Sequence, residues 1–251
     1  MTRTVLVTGA TGTLGREVLP LAVAAGHRVR ALSRHDHPDS DVRWHRCDLL
    51  TGDGVVEAVD GVDVVAHCAT QPTGGKDVTS TQNLLAAAQR AGVGHVVYIS
   101  IVGVDRIPLP YYKTKLRVEQ VLAASHVGHT VLRATQFHDL IAAIFSAQRL
   151  SPVLFALRGV DFQPIDTRDV AARLVELVDE QAAERVPDIG GPDVRSHADL
   201  GRAYLRWRGS RRPVVAVPVP GTIAASYRAG AHLAPQTPVG TVRFEDYLRR
   251  S

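Results

Sequence analysis

Two groupings in this 251-residue chain have the types and spacing that chemistry needs. The first is Thr8-Gly9-Ala10-Thr11-Gly12-Thr13-Leu14-Gly15, whose glycines are spaced GxxGxxG. Gly9 can take the backbone angles of a tight strand-to-helix turn. Gly12, with no Cβ, lets the main chain approach a pyrophosphate, and Gly15 lets the following helix pack closely. A helix opening at this point presents free N–H groups and a positive dipole end to phosphates. Gly9, Thr11, Gly12, Thr13, Leu14 and Gly15 are therefore candidate dinucleotide ligands. The second grouping is Tyr111-x-x-x-Lys115. Residues four apart share one face of a helix. A lysine ammonium beside a nicotinamide ribose lowers the phenol pKa, and the phenol then donates or accepts the substrate proton as hydride moves.

The nucleotide is read from Leu32-Ser33-Arg34-His35. An NAD reader carries an acid here for the ribose 2′-hydroxyl. This chain instead has Arg34, which can pair with a 2′-phosphate, and Ser33, which can add a hydrogen bond. NADP(H) is favoured over NAD(H); Asp36, two residues on, is the acid that argues the other way.

These residues need a frame. Thr4–Thr8 is continuous and β-branched, as in a strand covered on both faces. A helix is expected from about Thr13 to Ala25, stopped by Gly26. Strands are expected at Arg28–Ser33, Val42–Arg46, Val62–Cys68, His95–Ser100 and His129–Leu132. Helical stretches are expected at Asp53–Val59, Val78–Ala91 (closed by Gly92) and Tyr111–Ala124. Strands alternating with helices imply a Rossmann-type, doubly wound parallel α/β sheet. Beyond Gln136 the pattern loosens: helices at Phe137–Leu150, Val170–Val178 and Ala198–Trp207, a strand over Phe162–Ile165, and a proline-broken strand over Pro213–Pro220. The division expected is a dinucleotide-binding domain over residues 1–135 and a smaller substrate lobe over 136–251, packed directly together as one compact unit.

The glycine loop after an N-terminal strand resembles the short-chain dehydrogenase/reductase superfamily, with the glycine spacing of its extended and atypical, NmrA-like members. Asp48-Leu49, His67-Cys68-Ala69, Leu132-Arg133-Ala134-Thr135-Gln136-Phe137 and Pro164-Ile165-Asp166-Thr167-Arg168-Asp169-Val170-Ala171 resemble further family segments, over roughly residues 1–180. The resemblance implies that Asp48 and Leu49 lie near the adenine and Cys68 and Ala69 beside the ribose. It implies Lys115 as a ribose ligand, Tyr111 as proton donor, Ser100 as the carbonyl-polarising hydroxyl, and Gln136 and Phe137 as walls of the substrate cleft. The chain departs from the pattern at Ile101 and Val102, where many members carry the acting hydroxyl. Some atypical members lack parts of the triad and sense the redox ratio without turnover.

Composition is that of an ordinary globular protein, 45% hydrophobic and 22% charged, with a formal charge of +4 that is too weak to argue for nucleic acid. The basic run Arg202–Arg212 reads as the polar face of a helix with Tyr204, Leu205 and Trp207 packed inward. His67 reads as packed at a strand end. Cys47 and Cys68 read as buried small hydrophobes in a reducing compartment. No signal peptide or membrane-length apolar run is seen, so the expected location is cytoplasmic; the histidines lack metal-site spacing, so no metal is expected. The function these residues imply is an NADP(H)-dependent oxidoreductase, a monomer or homodimer, acting on a small, largely apolar carbonyl, quinone or enone. The alternatives are a non-catalytic NAD(P) sensor with protein partners and a cofactor-retaining isomerase, epimerase or lyase.

Overall fold

The computed structural model describes residues 1–37, 42–71 and 75–250. In chain order the elements begin β1 (Thr4–Thr8), α1 (Gly15–Ala24), β2 (Arg28–Ser33), β3 (Arg43–Arg46), α2 (Val55–Val59), β4 (Val64–His67), α3 (Lys76–Ala91), β5 (His95–Ile101), α4 (Pro110–Ala123) and β6 (His129–Ala134). They continue as α5 (His138–Ser146), β7 (Leu154–Leu157), β8 (Asp161–Phe162), α6 (Thr167–Asp179), β9 (Glu184–Arg185), β10 (Arg195–Ser196), α7 (His197–Trp207), β11 (Val214–Val217), α8 (Thr222–Arg228) and α9 (Phe244–Arg250).

A seven-stranded parallel sheet runs in the order β3-β2-β1-β4-β5-β6-β9. The strand order reverses beside β1, the switch point at which open α/β sheets bind ligands. β1 sits centrally because Val5, Leu6 and Val7 are apolar on both faces and fully buried. It registers Val5 against Val29 on one side and Val64 on the other. α3 stops where expected: Gly92 takes φ +71, and its N–H returns to the carbonyls of Ala88 and Gln89.

The contacts divide the chain into two compact units. One comprises Met1–Ser100, Pro110–Leu132 and Val170–Pro187; the other comprises Ile101–Leu109, Arg133–Asp169 and Asp188–Ser251. The first has a core of aliphatic residues from β1, β4, β5 and α2 to α4, with Leu6, Val65, Leu84, Val96, Val118 and Leu122 among them. The second has its own core around Ile141, Phe145, Leu154, Phe162, Leu200 and Phe244.

Several local expectations need correction. The strand expected over Phe162–Ile165 shrinks to Asp161–Phe162, paired antiparallel with β10. Pro164 has no N–H for a ladder, and Ile165 makes only a single bridge to Phe137. The strand expected over Pro213–Pro220 is Val214–Val217, held parallel to β7, an element too short to announce itself. Tyr204 and Leu205 are buried as expected, but Trp207 is 39% exposed, with Arg208 lying over its ring.

Burial of histidines makes the fold acid-sensitive. Burial above all holds His95, in the first unit, and His197 and His232, in the second, down to about 4. The unfolded chain therefore binds more protons than the folded one between about pH 4 and 6.5, and stability falls as pH drops through that window. The urea midpoint is expected to be clearly lower at pH 5 than at pH 7.5, with each histidine contributing on the order of 2 kcal/mol. A midpoint unchanged between the two would contradict this account.

Candidate cofactor and catalytic site

The glycine loop has the geometry its sequence demands. Gly9 has φ +63, and a Cβ there would lie 2.7 Å from the Ala69 Cα and N. A Cβ on Gly15 would lie 2.2 Å from the Gly9 carbonyl oxygen. The turn is closed by the Gly12 N–H donating to the Gly9 carbonyl at 2.9 Å. Among the described residues the N–H groups of Thr11, Thr13 and Leu14 find no acceptor. Three unsatisfied donors interleaved with glycines, at the start of α1, fit a diphosphate.

A hydrogen-bonded column behind this loop was missed by sequence reasoning. The Ala69 N–H donates to Thr8 Oγ1 at 3.1 Å. Thr8 Oγ1 and His67 Nδ1 are 2.7 Å apart, and His67 Nε2 and Thr81 Oγ1 are 3.0 Å apart. Thr81 commits its proton to the Asp77 carbonyl, so it accepts from Nε2–H, and Thr8 donates to Nδ1. His67 is thus a neutral bridge between β1, β4 and α3. Burial, then the charge of Lys115, pushes its pKa down to about 3. It is packed at a strand end, as expected, but every polar atom on its ring is used. That ties the end of β4 to the turn it must approach.

Tyr111 and Lys115 both lie in the first half of α4. Lys115 is 3% exposed. Its ammonium donates to the Ile99 carbonyl at 2.8 Å and sits 4.3 Å from the centre of the Tyr98 ring. Burial lowers its pKa to about 8, opposed first by Asp77. Tyr111 is half-buried, and its hydroxyl is 3.0 Å from Thr70 Oγ1. Thr70 donates to Asp77 Oδ2 at 2.6 Å, and Asp77 Oδ1 accepts from the Gln71 N–H at 2.8 Å. The expected depression of the tyrosine pKa by lysine is not seen: burial first, opposed by the hydrogen bond shared with Thr70 and reinforced by Asp77 and Tyr112, pushes the phenol upward. The Lys115 charge is turned to Ile99 rather than to the phenol. Thr70 and Asp77 were not singled out from the sequence; the one available signal was an acid in the first turn of α3.

Ser100 ends the first unit's share of β5, 2% exposed, and its hydroxyl has no partner among the described residues. Cys68 is buried, its thiol pushed up to about 12 by burial. Asp48 caps a turn, accepting from the Leu50 N–H at 2.8 Å. The carbonyl of Leu49 accepts from Asn83. At the end of β2, Ser33 Oγ accepts from the His35 N–H at 3.0 Å and lies 3.0 Å from His37 Nε2. Arg34 is exposed and makes no ion pair among the described residues. Asp36 is drawn to Arg46 at 3.8 Å.

Gln136 and Phe137 belong to the second unit. Gln136 is buried and its carbonyl accepts from the Ile165 N–H. Phe137 is half-buried at the entry to α5. Among the described residues no three His, Cys, Asp or Glu side chains are grouped to hold a metal ion. Among the described residues no helix is long and apolar enough to cross a membrane.

Comparison with known proteins bears on this arrangement. Residues 9–181 match the model of a family described as NAD(P)H-binding. The chain is 28% identical over 252 residues to the chloroplastic divinyl chlorophyllide a 8-vinyl-reductase of Zea mays, covering 86% of this chain and 62% of that protein. It is 27% identical over 180 residues to the photosystem II assembly factor Ycf39 of Trieres chinensis, covering 66% of this chain and 56% of that protein. The chain thus spans about three fifths of the length of these relatives. Its fold is similar to that of the Escherichia coli NADPH-dependent quinone oxidoreductase QOR2 in complex with NADPH. The TM-score is 0.79 at 18% identity, over 98% of this chain and 99% of that one. With the glycine turn, the sheet order and the matched span in agreement, the chain belongs to the NAD(P)H-binding family, and its fold is that of the atypical short-chain dehydrogenases/reductases it resembles.

Proposed function

We propose that the chain is an NADP(H)-dependent oxidoreductase acting on a small, largely apolar carbonyl, quinone or enone. In this reading residues 1–135 hold the dinucleotide and residues 136–251 serve the substrate, with Gln136 and Phe137 in its cleft. The observation that carries it is a buried Lys115 placed one helical turn along α4 from Tyr111, in the same unit as the glycine loop. A bound nicotinamide supplies the hydride. Tyr111 supplies the proton: its O–H bond breaks as the substrate oxygen gains its own. Ser100 is the candidate polarising hydroxyl. A reductase and an NADPH-dependent oxidoreductase among the similar proteins support the redox class. The preference for NADP(H) rests on Arg34, exposed and unpaired among the described residues, and on Asp36, whose carboxylate is turned toward Arg46.

Tyr111→Phe tests the reading. With NADPH and a panel of small quinones, enones and ketones, the wild type is expected to oxidise NADPH. The variant is expected to lose turnover by roughly a hundredfold while binding NADPH as before. A second reading, a non-catalytic nucleotide sensor with protein partners, draws on Ser100, whose hydroxyl is buried and unpartnered. One relative is, by name, an assembly factor. Tight NADPH binding with no oxidation across the whole panel would favour it.

A further inference from the structure

The phenol of Tyr111 is not merely adjacent to Thr70. Thr70 has a single proton, and that proton goes to the Asp77 carboxylate at 2.6 Å. An ionised carboxylate only accepts, so Thr70 has only lone pairs left for its other neighbour. The 3.0 Å contact between Thr70 Oγ1 and the Tyr111 hydroxyl therefore runs from the phenol to Thr70. Asp77 is itself held. It is 6% exposed, its second oxygen is fixed by the Gln71 N–H, and its carbonyl accepts from Thr81, the last hydroxyl of the His67 column. The direction of each bond forces the next.

We propose that Thr70 and Asp77 are a positioning pair that fixes the Tyr111 oxygen and keeps its proton in place until a substrate oxygen competes for it. This rests on the reading of Tyr111 as proton donor. Thr70, anchored by the charge behind it, cannot turn its own proton toward the phenol. A Thr70 hydroxyl donating to Tyr111 would make the phenol more acidic; with its proton held by Asp77 at 2.6 Å it accepts instead, and so favours the phenol over a phenolate. The carboxylate beyond it adds a negative charge that a phenolate would have to face. The neutral bond from phenol to Thr70 is weak enough for a substrate oxygen gaining negative charge to displace it. The pair thus biases the site toward giving a proton, the direction a reductase requires.

The test reads the phenol directly. Ultraviolet titration of the folded protein, with the Tyr111→Phe trace subtracted, isolates one of six tyrosines. In Thr70→Val and in Asp77→Asn the Tyr111 phenol is expected to ionise at a lower pH than in the wild type. The alkaline limb of NADPH oxidation should move down with it, and turnover near neutral pH should fall about tenfold while NADPH affinity holds. Thr70→Ser, which keeps the hydroxyl, should restore both the titration and the profile. Thr70 lies at an exposed position, so its variants carry the test even if Asp77→Asn fails to fold. A Thr70→Val protein that titrates like the wild type, while Tyr111→Phe is inactive, overturns the pair and leaves the oxidoreductase reading standing. A shifted titration with Tyr111→Phe fully active upholds the geometry of the pair but removes Tyr111 as proton donor, and with it the pair's role in turnover.

Discussion

Lys115→Met is expected to raise the melting temperature by about 4 to 8 °C while lowering turnover by on the order of a thousandfold. The two effects share one cause. At neutral pH the ammonium is charged, 3% exposed, and satisfied by one carbonyl and one aromatic face. Displacement of its pKa from 10.5 to about 8 by burial corresponds to roughly 3 kcal/mol of penalty on the charged form. An unbranched apolar side chain of similar length removes that penalty. It loses about 1 kcal/mol with the bond to Ile99, so the net gain is about 2 kcal/mol. The sign is open to a separate check. The unfolded chain holds its lysine proton up to about pH 10.5 and the folded chain only to about 8, so this group adds stability as pH rises between the two. The advantage of Lys115→Met should therefore shrink above pH 8. A variant less stable than the wild type at pH 7 would show that the ammonium is better solvated than its burial implies. If the ammonium serves the cofactor ribose, as the family resemblance implies, NADPH affinity should also fall, by about tenfold.

Gly9→Ala is expected to cost about 3 kcal/mol and to weaken NADPH binding by on the order of a hundredfold. Part of the cost is conformational, because φ +63 disfavours any Cβ. The larger part is collision. The added carbon would lie 2.7 Å from the Cα and N of Ala69 and 2.8 Å from the carbonyl carbon of Cys68, all main-chain atoms that no rotamer change can move. Relief requires the turn and the end of β4 to separate, which strains the Ala69–Thr8–His67–Thr81 column. Gly26→Ala is the control. Gly26 also has positive φ, at +85, but nothing lies within 4 Å of its would-be Cβ. It should lose only about 1 kcal/mol and leave cofactor binding intact. Calorimetric titration with NADPH and thermal melts of both variants check the contrast. Equal losses at the two positions would mean that backbone angle, not crowding, makes Gly9 necessary.

The sequence by itself determined what local chemistry and short-range pattern can determine. The apolar run at β1, the glycines of the turn after it and the glycine closing α3 each carry their own steric instruction. The register of alternating strands and helices then leaves few topologies open. Pro164, whose missing N–H is legible in the chain, cuts a strand to two residues; that Val214–Val217 would find its partner at Leu154–Leu157 is not legible there. Pairing depends on which distant backbone arrives alongside.

Tertiary structure alone decided the electrostatics of the candidate site. Thr70 and Tyr111 are 41 positions apart, and Thr8 and His67 are 59 apart; nothing in their spacing announces a contact. From sequence, a lysine four residues after a tyrosine argues for a more acidic phenol. In the fold, burial above all makes it less acidic, with the Asp77 carboxylate adding to it and the Thr70 hydrogen bond opposing, because desolvation outweighs helical adjacency. The identity of a group is written in the chain, but its protonation depends on how much water the fold removes from around it and on which charge it puts next to it.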